Sequence, residues 1–340
     1  MVGIEDVARA AGVSPATVSR ALTGRGSVSG PTQQRVISVA ADLGYVASAT
    51  AAGLATGRSR AIGVIVPMVR RWFYASVLES AQNELIRAGF DLTLYNLGGG
   101  ADTRGSVFTQ LLHRGRTDGL IAISLEVAPE EARSLLAVGK PVVCVGGPIA
   151  GLHTLSVDDV EMARLATDHL TSLGHRRIAL IGGAPGQKDF HLPIKRQAGY
   201  ELALQQHGLP IDAALRETGS FSIESGYQAA MHLLGDESRR PTAIFAVSDE
   251  MAMGAILAAR NLGLRVPEDL SVVGIDDHEH AQFFGLTTIA QYPGAQGARA
   301  VQILLEQMDG GPSIDDPGDH TAQPFDLVVR SSTAPPTAGR

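Results

Sequence analysis

Cysteine and tryptophan occur once each in the 340 residues, and no run of about eighteen apolar residues is present. One cysteine excludes an intramolecular disulfide. Cys144 sits in the apolar run Val142-Val143-Cys144-Val145, so its expected role is core packing. Without a long apolar run, nothing in the sequence reads as a membrane-spanning helix. The N-terminus also lacks a basic-then-apolar export segment, and Glu5 and Asp6 stand where one would be. The expectation is a cytoplasmic protein with no membrane partner.

Catalytic signatures are missing too. There is no cysteine pair and no His-Glu-x-x-His, and His278-Glu279-His280 shows no third partner, so no metal is expected. A Gly-x-Ser-x-Gly elbow does not occur. Gly182-Gly183-Ala184-Pro185-Gly186 lacks the Gly-x-Gly-x-x-Gly spacing of a dinucleotide loop, and Pro185 falls inside it. These absences argue against an enzyme, against any catalytic residue and against a cofactor.

What is present starts at residue 4. Ile4, Val7, Ala8 and Ala11 form one apolar stripe at helical spacing, and Gly12 is placed to end that helix. Ser14 is a good N-cap and Pro15 suits the first position of a second helix. There Val18, Ala21 and Leu22 face inward, leaving Thr17, Ser19 and Arg20 outside. A third helix, capped by Ser29 or Thr32, turns Val36, Val39, Ala40 and Leu43 inward and ends at Gly44. Two short helices, a glycine turn, and small polar residues with an arginine on the second helix describe a DNA-reading helix-turn-helix. Charge agrees. The net charge is −7, yet residues 1–60 hold six arginines against three carboxylates, a net +3, which leaves −10 on the remainder. Phosphate attraction is confined to one end. Because +3 is modest, two heads acting together are expected, and hence a dimer.

The order of these residues resembles the lactose/galactose-repressor (LacI/GalR) family of bacterial transcription regulators. The likeness runs through Leu43-Gly44-Tyr45 to Gly57-Arg58-Ser59-Arg60-Ala61-Ile62-Gly63-Val64-Ile65-Val66-Pro67, and continues in patches to about Arg330. It implies a DNA-facing set of Ser14, Pro15, Ala16, Thr17, Ser19, Arg20 and Arg25. It also implies that residues 48–60 form a hinge which becomes helical on the operator, with Leu54 wedged into the minor groove. Ala47-Ser48 replace the usual Pro-Asn, and Ala52 replaces a common arginine. Fewer hinge–phosphate contacts are therefore expected.

From Ala61 onward, short apolar runs alternate with helix-length amphipathic stretches, the texture of a parallel sheet covered on both faces. Seven strands are expected at 61–66, 91–96, 119–124, 141–145, 177–182, 242–247 and 270–275, with a further one near 286–290. The fold class is α/β: a small all-α head on residues 1–47, followed by two doubly wound lobes on 61–330, for which the family resemblance implies a periplasmic-binding-protein-like architecture. Lobe one is expected over 61–157 and 291–318, lobe two over 158–287 and 319–330, and 331–340 as a disordered tail. That tail carries no leucine heptads, so nothing in it builds a tetramer.

In such folds ligands sit beyond the carboxyl ends of the strands. Trp72-Phe73-Tyr74 follow the first strand as a stacking surface, with Trp72 and Phe73 the expected contacts. Arg196 opens the Arg196-Gln197-Ala198-Gly199-Tyr200 segment, which matches the family's Arg-x-x-Gly-Phe, where the arginine donates to the effector. Phe221 falls where relatives place an aromatic. Ser248-Asp249 stand for the family's Asn-Asp, Ser248 altering what is read there and Asp249 either touching the ligand or capping a helix. Asp276, ending the strand at 270–275, is the expected acceptor. Gly146 stands where many relatives have an aspartate. His175 reads as structural.

The resulting expectation is a sequence-specific repressor. It would bind a pseudo-palindromic duplex operator as a homodimer and answer to a small molecule, with a sugar expected. A purine- or nucleoside-responsive regulator, a transport-system sugar binder without a DNA role, and a nucleotide-dependent enzyme are the alternatives. Arg20 can pair bidentately with guanine, whereas Pro15 and Ala16 offer only apolar contact. Arg20→Ala should therefore remove about 1–3 kcal/mol of sequence preference per base contact, measured by gel shift on matched and mismatched duplexes. An equal loss on every sequence would assign Arg20 to phosphates instead.

Overall fold

The computed structural model describes residues 2–23, 28–45, 59–98, 100–125, 127–183, 192–310 and 320–337. Arg25, Leu54 and residues 48–58 of the expected hinge lie outside them. The chain divides into two units, Met1–Arg60 and Ala61–Arg340. No helix of the described residues is long and apolar enough to cross a membrane.

The first unit holds three helices, α1 (Ile4–Ala11), α2 (Pro15–Thr23) and α3 (Gly30–Asp42). Gly12 adopts a left-handed φ of 66° and turns the chain between the first two. The Gly3 N–H donates to Asp6 at 3.0 Å, and the Ser14 hydroxyl accepts the Thr17 N–H at 3.2 Å, so both helices begin with a side-chain cap. Val7, Val18 and Val36, one from each helix, are fully buried with Ala8, Ala11, Ala21 and Ala40 around them. Small side chains let three short helices approach closely, and Gln33 ties the bundle by donating to the Ala21 carbonyl at 3.1 Å.

The second unit contains two six-stranded sheets. Lobe one uses β1 (Ala61–Val66), β2 (Asp91–Asn96), β3 (Gly119–Ile123), β4 (Val142–Val145) and β5 (His153–Ser156). Lobe two uses β6 (Ile178–Gly183), β7 (Arg216–Gly219), β8 (Ala243–Ala246), β9 (Ser271–Asp276) and β10 (Thr287–Ala290). Two late strands, β11 (His320–Ala322) and β12 (Asp326–Val328), complete one sheet each. The orders are β11-β5-β4-β3-β1-β2 and β12-β10-β9-β8-β6-β7. All pairings are parallel except β10 with β12. The helices are α4 (Trp72–Arg87), α5 (Ala101–Ser106), α6 (Pro129–Leu136), α7 (Asp159–Ser172), α8 (Leu192–Gln206), α9 (Ile223–Gly235), α10 (Asp249–Asn261), α11 (Ala281–Phe284) and α12 (Pro293–Met308). Separate apolar layers cover the two faces of the first sheet, one of which includes the helices α4 and α12. Cys144 packs in the other layer, where burial pushes its thiol up to about 12.

Two expectations need correction. Residues 319–330 do not belong wholly to lobe two. His320–Ala322 pairs in parallel with β5 of lobe one, and only Asp326–Val328 joins lobe two, so the last crossing runs through 323–325. Nor are residues 331–337 disordered. Ser332 is buried, its carbonyl accepts the Val272 N–H at 2.8 Å, and its hydroxyl accepts the Thr287 N–H at 2.8 Å. Ala334 exchanges hydrogen bonds with the Ser271 hydroxyl, and its carbonyl pairs with buried His175 at 2.9 Å. The tail thus satisfies backbone groups at the starts of β9 and β10 that would otherwise be orphaned. Burial lowers the His175 pKa, consistent with a neutral structural ring.

Helix pairs in lobe two meet through glycine. A Cβ at Gly254 would lie 2.1 Å from the Ile223 carbonyl oxygen, and one at Gly226 would lie 2.2 Å from that of Met251. Each helix thus supplies the gap into which the other's backbone fits. Gly254→Ala gains helix propensity but collides with backbone, so we expect a net loss of about 1–3 kcal/mol, read as a lower midpoint in urea unfolding.

Candidate functional site

The carboxyl ends of the strands in the two lobes open on a common cavity of about 540 Å³. Lobe one contributes Pro67 to Tyr74 in part, Ser124 after β3 and Gly146 after β4. Lobe two contributes Arg196, Phe221 after β7, Ser248 after β8 and Asp276 at the end of β9, with His278 beyond it and Gln291 after β10. Of the seven residues expected at a ligand, Trp72, Phe73, Arg196, Phe221, Ser248 and Asp276 line this cavity. Asp249 does not.

Asp249 is the first residue of α10 and is fully buried behind the wall. Its carboxylate accepts the His278 N–H at 2.8 Å and the Thr288 hydroxyl at 2.6 Å. A Cβ on Gly274 would meet Asp249 Oδ1 at 2.1 Å, so the glycine of β9 makes room for this acid. Burial, and then the neighbouring Asp276, push the Asp249 carboxyl well above the usual range. Ser248 is occupied as well: its hydroxyl caps α10 at the Met251 N–H, 3.4 Å away.

With Asp159 and Glu250, Asp276 is one of three acids lining the cavity. Gln291 Nε2 donates to its Oδ1, and burial pushes its carboxyl up to about 7, against the opposing pull of Arg196 and Gln291. Arg196, itself 2% exposed, uses Nε on Asp159 at 2.9 Å and Nη1 on the Val247 carbonyl. The buried guanidinium is therefore held in place before anything else meets it. On the lobe-one side, Phe73 lies edge-on to Tyr74 with ring centroids 5.8 Å apart. One approach to Trp72 is already taken by the ring of His278, at 4.7 Å.

Backbone strain collects at these strand ends. Ser124, Phe221 and Asp276 have φ of 45°, 56° and 137°, values that side chains other than glycine seldom adopt. Asp277 follows at 53° and is anchored by Arg330 Nη2, 2.6 Å from its Oδ1. Gly146 has φ 92°, and a Cβ there would lie 2.6 Å from Ser124 Oγ. An aspartate at that position has neither the conformation nor the space.

Sequence reasoning passed over Arg71, Glu250, Gln291 and His278. Gln291 follows β10 as Asp276 ends β9, so the strand-end rule applied once more would have found it. His278 was weighed only as a metal ligand, and no group of three or more possible metal-binding side chains occurs among the described residues. In the head, Ser14, Pro15, Ala16 and Arg20 are exposed on α2 and the loop before it, with Thr17 and Ser19 half-buried beside them.

A helix-turn-helix unit in one chain with a two-lobed ligand-cleft body defines a class of proteins, the ligand-responsive DNA-binding regulators. Residues 3–48 match the bacterial regulatory proteins of the lacI family, and residues 167–333 match a periplasmic binding protein-like domain. The chain is 33% identical over 312 residues, 91% of each sequence, to the HTH-type transcriptional repressor PurR of Haemophilus influenzae (strain PittEE). It superposes with a TM-score of 0.86 and 29% identity on the lac repressor dimer bound to operator and the anti-inducer ONPF, covering 98% of this chain and 99% of that one. Against the transcriptional regulator CelR–cellobiose complex the TM-score is 0.70 at 29% identity, covering 98% and 100%. The chain belongs to the LacI family and is a DNA-binding transcriptional repressor, a member of a non-enzymatic family. The transport-protein and enzyme alternatives fall with that assignment.

The buried acid sets a pH dependence. Between about pH 4 and pH 7 the folded chain keeps a proton on Asp276 that the unfolded chain releases, so stability falls as pH rises through this window. Asp276→Asn cannot ionise. Its melting temperature relative to the parent should therefore rise from about pH 5 to about pH 8. A constant difference would show that Asp276 titrates normally.

Proposed function

We propose that the chain represses transcription as a homodimer on a pseudo-palindromic operator, and that a sugar in the inter-lobe cavity controls operator affinity. Asp276 is the observation that carries the reading. A buried acceptor held by Gln291 stands near a pre-positioned arginine, with aromatic rings from both lobes lining the same cavity. Hydroxyl groups suit such a site because each can both donate and accept. A relative solved with cellobiose supports a carbohydrate. The dimer is supported by the relative solved as a dimer on operator, and by the modest charge of a single head.

In this reading Pro15, Ala16 and Arg20 face bases in the major groove, and Ser14, Thr17, Ser19 and Arg25 lie along the phosphates. Leu54 is the minor-groove wedge. Effector binding alters the angle between the lobes and so the spacing of the two heads. Release of operator marks an inducer, and tightening marks a corepressor. The flat aromatic faces also suit a nucleobase, so the second reading is a purine-type effector.

A thermal-shift panel of cellobiose, ribose, sugar phosphates and nucleobases, followed by operator titration with each hit, distinguishes the two. Asp276→Ala should abolish the response to the hit and leave operator affinity unchanged. A retained response would move the binding site away from this carboxyl.

A further inference from the structure

Trp72 belongs to lobe one, and the ring stacked against it belongs to lobe two. The indole and the His278 imidazole have centroids 4.7 Å apart and planes inclined at 34°. The adjacent Arg71 makes a second tie: its Nη2 donates to the Ser220 carbonyl at 2.7 Å and its Nη1 pairs with Glu250 at 3.3 Å. Two consecutive residues of lobe one therefore reach the loops after β7, β8 and β9.

His278 is fixed independently of Trp72. Its N–H donates to buried Asp249, and its Nδ1 accepts the His280 N–H at 3.0 Å. The His280 ring lies 5.0 Å away on the far side of this turn. An amide pointing at Nδ1 requires a lone pair there, which places the ring proton on Nε2. That nitrogen has no hydrogen-bond partner among the described residues, and the side chain lines the cavity.

We infer that His278 is the positioning residue of the cleft: as the Nε2–H tautomer it holds the Trp72 indole against lobe two and offers the cavity a hydrogen-bond donor. The inference rests on the cleft being the effector site. It adds what that site demands of a ligand, an acceptor oxygen or ring nitrogen within reach of Nε2–H. It also limits stacking, because one approach to the indole is already covered.

Protonation would place a second N–H at Nδ1, directly opposed to the His280 amide. The groups facing the ring do not all pull one way. Glu279 beside it favours the cation; Asp249 and Asp276, held largely protonated by burial, add little, and Glu250 and Asp277 lie on the flanking segments. His280, Arg71 and Arg196 oppose it. Burial is the largest influence and, with His280, lowers the His278 pKa. The ring against Trp72 is therefore neutral at neutral pH and becomes a cation over the indole only in acid.

Trp72 is the only tryptophan, so emission excited selectively at the indole reports the surroundings of this one side chain, and the His278 variants isolate the imidazole's share. An imidazolium touching an indole quenches it. We expect one quenching step between about pH 8 and about pH 5, with a midpoint below the ordinary histidine value of about 6.5. The step should vanish in both His278→Gln and His278→Phe. At neutral pH, His278→Gln should also make Trp72 more accessible to acrylamide, with circular dichroism unchanged. Nitrogen NMR of histidine-labelled protein should find the Nε2–H tautomer at His278. If the first variant fails to fold, the second and the NMR measurement decide. An unaltered step in a folded variant, or an Nδ1–H tautomer, overturns the proposal. None of these measurements needs a ligand, so they fail or succeed separately from the sugar titrations.

Discussion

One buried carboxylate organises the cleft wall of lobe two. Asp249 holds the backbone of His278 and the hydroxyl of Thr288, and thereby fixes the turn after β9 against β10. Gly274 is needed because any side chain there would strike the acid. Burial raises the cost of ionising both Asp249 and Asp276, and the Asp276 charge adds to it at Asp249 as that of Glu250 does at Asp276. Two acids close together in a region of low polarity cannot both ionise freely. The wall of the cleft therefore carries less negative charge at neutral pH than its sequence suggests.

The same acid shows where reading the sequence works and where it stops. The strands at β1, β3, β4, β6, β8 and β9 were legible because each is a largely apolar run, as a sheet covered on both faces requires, and β2 by the alternation of Leu92 and Leu94 with polar neighbours. β5, β7 and β11 were not. His153-Thr154-Leu155-Ser156 and Arg216-Glu217-Thr218-Gly219 are four residues each, and both mix polar with apolar, being nearer the sheet edges. The helical stretch after β2 breaks after Ser106 into a wider turn over Val107–Leu111 and a tighter one over Leu112–Arg114. Hydrophobic periodicity carries no signal for such a change of pitch.

Site residues followed a similar rule. Asp276 was legible because it ends a strand, and Phe221 because it falls where relatives place an aromatic. Asp249 was misread as a possible ligand contact because position in a motif does not reveal which way a side chain turns. Its partners are 29 and 39 residues away in sequence. His278, Arg71 and Glu250 acquire meaning only when two lobes approach, and no local pattern encodes that approach. The ordered tail escaped for the opposite reason. Ser331 to Thr337 look like a solvated linker by composition, yet Ser332 and Ala334 complete the hydrogen bonding of β9 and β10.

The solitary thiol has a practical side. Cys144 is sealed in the core of lobe one, 1% exposed and held in its uncharged, unreactive form. A maleimide added to the native protein should pass it by. Any cysteine engineered onto either lobe would then be the sole target for a spin label or dye pair, and distances between the halves could be followed without first rebuilding the interior.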